Sequence, residues 1–497
     1  MRKFLYIALL TTFFNLSSIN CQSFTFTVLT DSVVHTMRGG IGASWHAISN
    51  IGPLENDKYK YPASDENPLG SSWSGNPPLQ NNRAWQQLSD HARWLGLDFI
   101  RVELMMKMYE PLKGQFDWNS VDMQALYKIL DCCQQMGADV FLQQMTMNVE
   151  WNSYPGVHPL LSAPVSLDDY AEGIASLLKH LITVKKYTCI KFFCITNEPP
   201  GGTWGNWWRN GAGDAPLTPA FKRVHDELVK RNITIPLSGP DWTSLPPFTE
   251  VVKTFDPYLG AYDIHSYDGI DDKGAKTVQS WIQWAYTKDK PFFISEFGNM
   301  KMGWGKDNPG PKSLAAALSN AHDMITALSS GTDGMNRWSF VNQGDMDGQW
   351  QLVRTWNIPK KELMEKVIPE NTAYYGFAMF TRFIAKYASI LKTKYPDPSD
   401  TSLSMISLRN PDGNLVFILL NQADENKAAT IIIKSKLKIE NLYKYLYNDG
   451  IPTEGAFALN PVDTISETSK MKLVIEKRSI TVLTSKLLKN TDWGTIK

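Results

Sequence analysis

The chain is short of the residues that many enzyme chemistries gather in clusters. It has 5 cysteines and 8 histidines in 497 residues. No C-x-x-C spacing occurs, so a zinc site is not expected. H-E-x-x-H and H-x-H are also missing, which argues against a metallohydrolase. There is no G-x-S-x-G elbow, and no G-x-G-x-x-G loop follows a strand, which removes the nucleophile-elbow and dinucleotide-binding readings. An excess of charge of either sign is absent too. Lys+Arg and Asp+Glu are each 50, so neither a nucleic acid nor an anionic membrane is implied as a partner. No apolar run is long enough for a transmembrane anchor. No metal or organic cofactor is expected.

What is present begins with an export-like start. Arg2 and Lys3 precede the apolar segment Phe4–Leu16, and Ser17 and Ser18 follow. Residues 1–21 therefore read as a signal peptide cleaved near Cys21, and the product as secreted or periplasmic. Cys21 is also a candidate for lipidation, although Ser18-Ile19-Asn20 matches a lipoprotein signal poorly. Cys132, Cys133, Cys189 and Cys194 are expected to be buried free thiols. Aromatic residues are abundant, with 17 Trp, 19 Tyr and 22 Phe. Many of the Trp stand beside Gly, Asn and Pro, in loop-like sequence.

From about residue 38 to 345 short apolar runs alternate with amphipathic helical segments. The expected strands are Arg38–Ala43, Asp98–Leu104, Asp139–Met145, Ile190–Thr196, Ile233–Ser238, Ala261–Tyr267, Pro291–Glu296 and Gly334–Phe340. Helix starts are expected at Asn119 with Asp122, at Ser166 with Asp169, and at Thr218-Pro219, and Gly137 ends the first of these. Eight strand–helix units in this length predict an α/β fold, a (β/α)8 TIM barrel over residues 22–384. Beyond residue 385 strand-like runs are separated by turns such as Asn410-Pro411-Asp412-Gly413-Asn414, so 385–497 is expected to be an all-β sandwich. Phe24–Leu29, within 22–30, is a candidate strand of that sandwich.

Two motifs each place a glutamate at the end of an apolar run: Ile190–Thr196 followed by Asn197-Glu198-Pro199, and Pro291–Ser295 followed by Glu296-Phe297-Gly298. They would end the fourth and seventh strands. The active site of such a barrel lies at the C-terminal ends of its strands. Two carboxylates on opposite sides of one sugar ring are what glycosidic hydrolysis requires. Asn197 could donate to the sugar 2-hydroxyl. Arg101, within an apolar strand, could hold Glu296 ionised. Glu103, on the same strand face, is the rival third carboxylate. Asp263, His265 and Tyr267 alternate and so share one face; Tyr267 could donate to the nucleophile and His265 could position substrate or tune a carboxylate. Trp45 and His46 end the first strand and are candidates to floor the sugar subsite. Trp204, Trp207 and Trp208 follow the first motif in a glycine-rich loop, and indole faces suit pyranose rings. Trp242, Trp304 and Trp338 are further candidates after strands five and seven and in strand eight.

With these residues in view, Asn-Glu-Pro and Ser-Glu-Phe-Gly resemble the acid/base and nucleophile signatures of glycoside hydrolase clan A. Gly39-Gly40-Ile41-Gly42-Ala43-Ser44 and the appended sandwich resemble family 30, with family 5 the nearest competitor. The resemblance implies a retaining β-glycosidase with Glu198 as acid/base and Glu296 as nucleophile, and supporting roles for Arg101, Asn197 and Tyr267. The competing readings are a non-catalytic carbohydrate-binding barrel, separated by turnover of aryl β-glycosides, and a transglycosylase, separated by products formed with an added acceptor sugar.

Overall fold

The structure, a computed structural model, describes residues 23–47, 75–147, 149–157, 159, 161–199, 207–209, 213–303, 313–342, 350–357, 362–395, 402–436, 438–448, 459–466 and 468–488. The signal segment, Cys21, Trp204 and Trp304 lie outside them.

A closed parallel barrel forms the larger part. Its first strand is interrupted at Ser44 into Ile41–Ala43 and Trp45–His46. The first half pairs with the eighth strand, Gly334–Arg337, and the second with the second strand, Phe99–Met105, which closes the ring. Between them run Asp139–Thr146, Ile190–Cys194, Leu237–Trp242, Leu259–Ser266 and Phe292–Phe297. Gly42 sits where strands one and two cross closely: a β-carbon there would overlap the Phe99 carbonyl oxygen.

Side-chain alternation divides the strands into two surfaces. On strand two Ile100, Val102 and Leu104 join the core beneath the helices. Phe99 faces inward, where it meets Phe141, Phe293 and Phe192 in an aromatic plug. Arg101 and Glu103 follow Phe99 on the inward face. The barrel is thus apolar at its base and polar toward the C-terminal ends of its strands.

Local elements differ from expectation at four places. The fifth strand is Leu237–Trp242, not Ile233–Ser238. Gly239-Pro240 reads as a break, but the sheet absorbs it, with Gly239 opposite Tyr262 and Pro240 opposite Asp263. The helix expected at Asn119 is capped one residue later: Ser120 Oγ accepts from the Met123 N–H at 3.1 Å, and helix Val121–Met136 ends at left-handed Gly137. The helix expected at Thr218 is Leu217–Lys230, preceded by Pro216; the Thr218 hydroxyl instead pairs with that of Thr254 at 2.7 Å. Ser166 does cap helix Leu167–Lys179, through the Asp169 N–H. Strand eight stops at Arg337, so Trp338 follows it rather than lying within it.

The C-terminal part is a separate nine-stranded sheet. Ser23–Thr36 lies within it, antiparallel to Ser389–Lys394 and parallel to Lys427–Lys434. Leu415–Asn421 shows why this sheet packs onto the barrel. Leu415, Phe417 and Leu419 fill the sandwich interior, while Val416, Ile418 and Leu420 join the barrel's own hydrophobic core. A strand apolar on both faces is buried on both. Tyr447 Oη donates to the Thr372 carbonyl at 2.8 Å, and Phe383 meets Tyr445 edge-on at 4.8 Å. The cysteines at 132, 133, 189 and 194 are buried thiols.

Candidate active site

Glu198 and Glu296 come together at the open end of the barrel. Glu198 follows strand four with φ 47°, and Asp241 in strand five has φ 62°. Left-handed backbone is uncommon for non-glycine residues and concentrates at functional sites. The two turns are tied by the Glu198 N–H, which donates to the Asp241 carbonyl at 3.1 Å.

Simple alternation would put Glu296 on the outer face with Ile294. A register slip prevents this: Ile264 pairs with Ile294, but the next residue, His265, pairs with Glu296. Such irregularities often re-aim a side chain beside an active site. As a result His265 Nδ1 lies 2.7 Å from Glu198 Oε1 and 3.2 Å from Glu296 Oε2, while its Nε2 lies 2.8 Å from Asp241 Oδ1. One His265 nitrogen and one carboxylate oxygen from each glutamate lie within 4.8 Å of one another.

Arg101 lies fully buried beneath this pair. Its Nη1 donates to Glu296 Oε1 and to Glu103 Oε1, and its Nη2 donates to Asn197 Oδ1 at 3.0 Å and reaches Asp241 Oδ2 at 3.5 Å. Gln143 Nε2 also reaches Asn197 Oδ1, at 3.4 Å, so the amide of Asn197 is held with its oxygen inward. Tyr267 Oη donates to Glu296 Oε2 at 2.6 Å. Asn336 Oδ1 accepts from the Arg101 backbone N–H at 3.0 Å, locking strand eight to strand two.

Burial pushes the Glu296 carboxyl up, to about 7, against the pull of Arg101 and His265 and with the push of Glu103 and Glu198. Burial alone would lower the pKa of His265, but Glu296 and Asp241 override it and hold it well above the usual histidine range. Burial would likewise raise Asp241, yet His265 and Arg101 hold its carboxyl down. Tyr267 is pushed well up by burial and by the charge of Glu296, so its hydroxyl remains a donor.

Two groupings among the described residues bring donor atoms within 4.8 Å of one another, the spacing a cation would need: Glu198–His265–Glu296 and, deeper, Cys194–Asp241–Asp263. In the first, His265 Nδ1 lies between the two carboxylates, 2.7 Å from Glu198 and 3.2 Å from Glu296. In the second, burial pushes the Cys194 thiol and the Asp263 carboxyl well up, toward their neutral forms.

The aromatic candidates separate. Trp338 is close to the site, edge-on to His46 at 4.8 Å and clustered with Met145, Trp350 and Tyr267. Trp45 is not a sugar floor. It is fully buried and points outward, stacked on Trp85, with its Nε1 donating to Asn76 Oδ1 at 2.8 Å. His46, on the opposite strand face, points inward to Glu103. Trp207 is likewise buried, against Tyr170. Trp208 and Trp242 are half-buried, and Trp207 and Trp242 line an apolar cavity of about 240 Å³ beside Pro199. Sequence reasoning missed Asp241, Gln143, Asn336 and Trp350. Asp241 was hidden behind Gly-Pro, and the other three carry no motif.

Two carboxylates and an arginine at the C-terminal ends of barrel strands fit the requirements of glycosidic hydrolysis. The family model described as cellulase, glycosyl hydrolase family 5, matches residues 61–343, and the chain belongs to that family. The glycosyl hydrolase family 30 β-sandwich domain matches residues 391–481. The enzyme is a retaining glycoside hydrolase. A comparison with curated proteins finds no match. Among solved structures, a glycoside hydrolase family 30 endoxylanase from Clostridium papyrosolvens aligns with a TM-score of 0.61 at 12% identity, covering 93% of this chain and 99% of its own. A conserved exported protein from Bacteroides fragilis aligns at 0.63 and 12% identity, over 93% and 100%. An endo-β1,6-glucanase aligns at 0.61 and 14% identity, over 93% and 94%. At these identities the likeness is one of fold.

Proposed function

We propose that the enzyme cleaves a β-linked polysaccharide or glycan by double displacement, with Glu296 as nucleophile and Glu198 as acid/base. The observation that carries this reading is the pair of carboxylate oxygens within 4.8 Å around His265. Retaining pairs stand about 5–5.5 Å apart, whereas inverting pairs leave room for a water at roughly 6.5–9.5 Å.

The hydrogen bonds support this division of roles. Both oxygens of Glu296 face donors: Oε1 meets Arg101, and Oε2 meets Tyr267 and His265. Donors to both oxygens favour the carboxylate, the form that attacks the anomeric carbon. Glu198 is the more open of the two, with its side chain 13% exposed. It would hand its proton to the leaving oxygen as the glycosyl–Glu296 bond forms. It would then take a proton from the water that breaks that bond. With Oδ1 of Asn197 held inward, its Nδ2 is positioned to donate to the sugar 2-hydroxyl, a contact that strengthens in the oxocarbenium-like transition state. Trp338 supports the sugar at this subsite, and Trp208 and Trp242 are candidates further out.

The xylanase and β1,6-glucanase among similar folds make xylans and β-glucans the first substrates to test. The basic start and apolar Phe4–Leu16 support export, with Cys21 a candidate for lipid attachment; among the described residues no helix is long and apolar enough to cross a membrane.

Chemical rescue tests the assignment. Glu296→Ala should abolish turnover, and azide should restore it with inverted stereochemistry. Glu198→Ala should still form the glycosyl-enzyme from activated aryl glycosides, then stall until azide releases a product of retained stereochemistry. Swapped stereochemistry would exchange the two roles, and near-normal activity in both variants would end the reading.

A further inference from the structure

Glu103 has no step in the double displacement, yet it is one hydrogen bond away from it. Its Oε1 accepts from Arg101 Nη1, the same nitrogen that donates to Glu296 Oε1. Its Oε2 lies 2.6 Å from His46 Nδ1. Both Glu103 and His46 are fully buried. The chain of contacts runs His46–Glu103–Arg101–Glu296, from the first barrel strand through the second to the seventh.

One guanidinium nitrogen is therefore divided between two buried carboxylates, of which one is to attack. A buried anion must be paired or its desolvation is uncompensated. If Arg101 were the sole partner of Glu103, the guanidinium would be drawn toward it and away from Glu296. The second partner, His46, whose Nδ1 lies 2.6 Å from the far oxygen of Glu103, relieves Arg101 of part of that demand.

We propose that Glu103 and His46 are positioning residues that divide the charge of Arg101, so that the orientation and the basicity of Glu296 are set from the first barrel strand. The proposal rests on Glu296 being the nucleophile. Its physical support is the short buried path and the like charge of Glu103, which opposes ionisation of Glu296. The charged and titratable groups that face Glu296 are Arg101 and Glu103 from strand two, Glu198 after strand four, Asp241 from strand five, and His265 with Tyr267 from strand six. Those that face Glu103 are His46, Arg101 and His265.

The two ends of this contact should then act in opposite directions. Glu103→Gln keeps an oxygen for Arg101 but removes the like charge. The acid limb of kcat/KM should move down by about one pH unit. His46→Phe leaves Glu103 leaning on Arg101 alone, and the limb should move up by about one unit. His46→Asn restores a donor near the position of Nδ1 and should return the limb toward wild type. In Glu103→Gln/His46→Phe the upward shift should vanish, because the charge that His46 answers is gone.

The measurement is kcat/KM against pH with an aryl glycoside whose leaving group needs no proton. It is paired with carbon-13 NMR titration of the glutamate carboxyls of the intact protein, with Glu296 assigned from Glu296→Gln. The NMR arm needs no turnover. If no glycoside is cleaved, the functional reading fails while the titration of Glu296 still decides the coupling. Opposite shifts that cancel in the double variant support the proposal. Equal losses of kcat with an unmoved limb and an unmoved Glu296 titration overturn it, as do shifts of the same sign in both single variants.

Discussion

Tyr267→Phe is the cleanest perturbation of the nucleophile. The change deletes one oxygen and keeps the ring, which packs against Trp350 and His265 at centroid distances of 6.0 and 6.4 Å. What is lost is the 2.6 Å donation to Glu296 Oε2, leaving that oxygen with His265 Nδ1 at 3.2 Å. A hydrogen bond to a charged group contributes about 1.5–3 kcal/mol. One pKa unit corresponds to about 1.4 kcal/mol, so removing the donor should raise the Glu296 pKa by about 1–2 units. The sign follows from the form that is stabilised: the phenol supports the carboxylate, so its loss favours the neutral acid. Starting from about 7, the acid limb of kcat/KM should move upward. Activity near pH 6 should fall by roughly 10- to 100-fold, and by much less at pH 9. The assay is kcat/KM across pH 5–9 with an activated aryl glycoside, so that proton donation by Glu198 does not mask the limb. A limb that stays in place, or one that moves to lower pH, would refute the reasoning that Tyr267 holds the nucleophile ionised.

Two further outcomes test the scaffold. A β-carbon on Gly298 would stand 2.6 Å from Trp350 Cζ3, so Gly298→Ala should displace Trp350 from its place beside Tyr267, cost about 1–3 kcal/mol in urea unfolding and lower kcat/KM; a variant of wild-type stability and activity would show that the contact relaxes freely. Burial would raise Glu227, but Arg231, Arg223 and Lys230 hold it down to about 2 in the folded chain. This depressed pKa stabilises the fold above about pH 4.5 and is lost as pH falls through about 2. Glu227→Gln should lower the melting temperature at pH 7 and leave it nearly unchanged at pH 2, and an equal loss at both values would mean that packing rather than charge is at stake.

Much of the architecture was legible because period-two strands and period-3.6 helices are local properties. Phe99–Met105, Asp139–Thr146 and Phe292–Phe297 lie within a residue or two of where alternation placed them. Strand five was misread because Gly239-Pro240 carries the local chemistry of a turn, which the surrounding sheet overrides. Helix starts were legible where a side chain bonds its own turn, as Ser166 does, and missed by one residue where two cap-like residues, Asn119 and Ser120, stand together. Trp45 and His46 are neighbours with opposite fates, and nothing in that pair alone says which one faces the barrel interior.

The sequence by itself determined that two glutamates end two barrel strands, that an arginine lies buried on strand two, and that His265 and Tyr267 share a face. Each of these follows from residue type and spacing along one strand. Tertiary structure alone decided that Glu296 points inward, because that depends on a one-residue slip between neighbouring strands. It also decided that Asp241 completes the histidine's partners and that one nitrogen of Arg101 serves both Glu103 and Glu296. The physical reason is that electrostatic roles are set by distances between strands far apart in the chain. A carboxylate's charge and task depend on which donors the closed barrel brings within 3 Å of it.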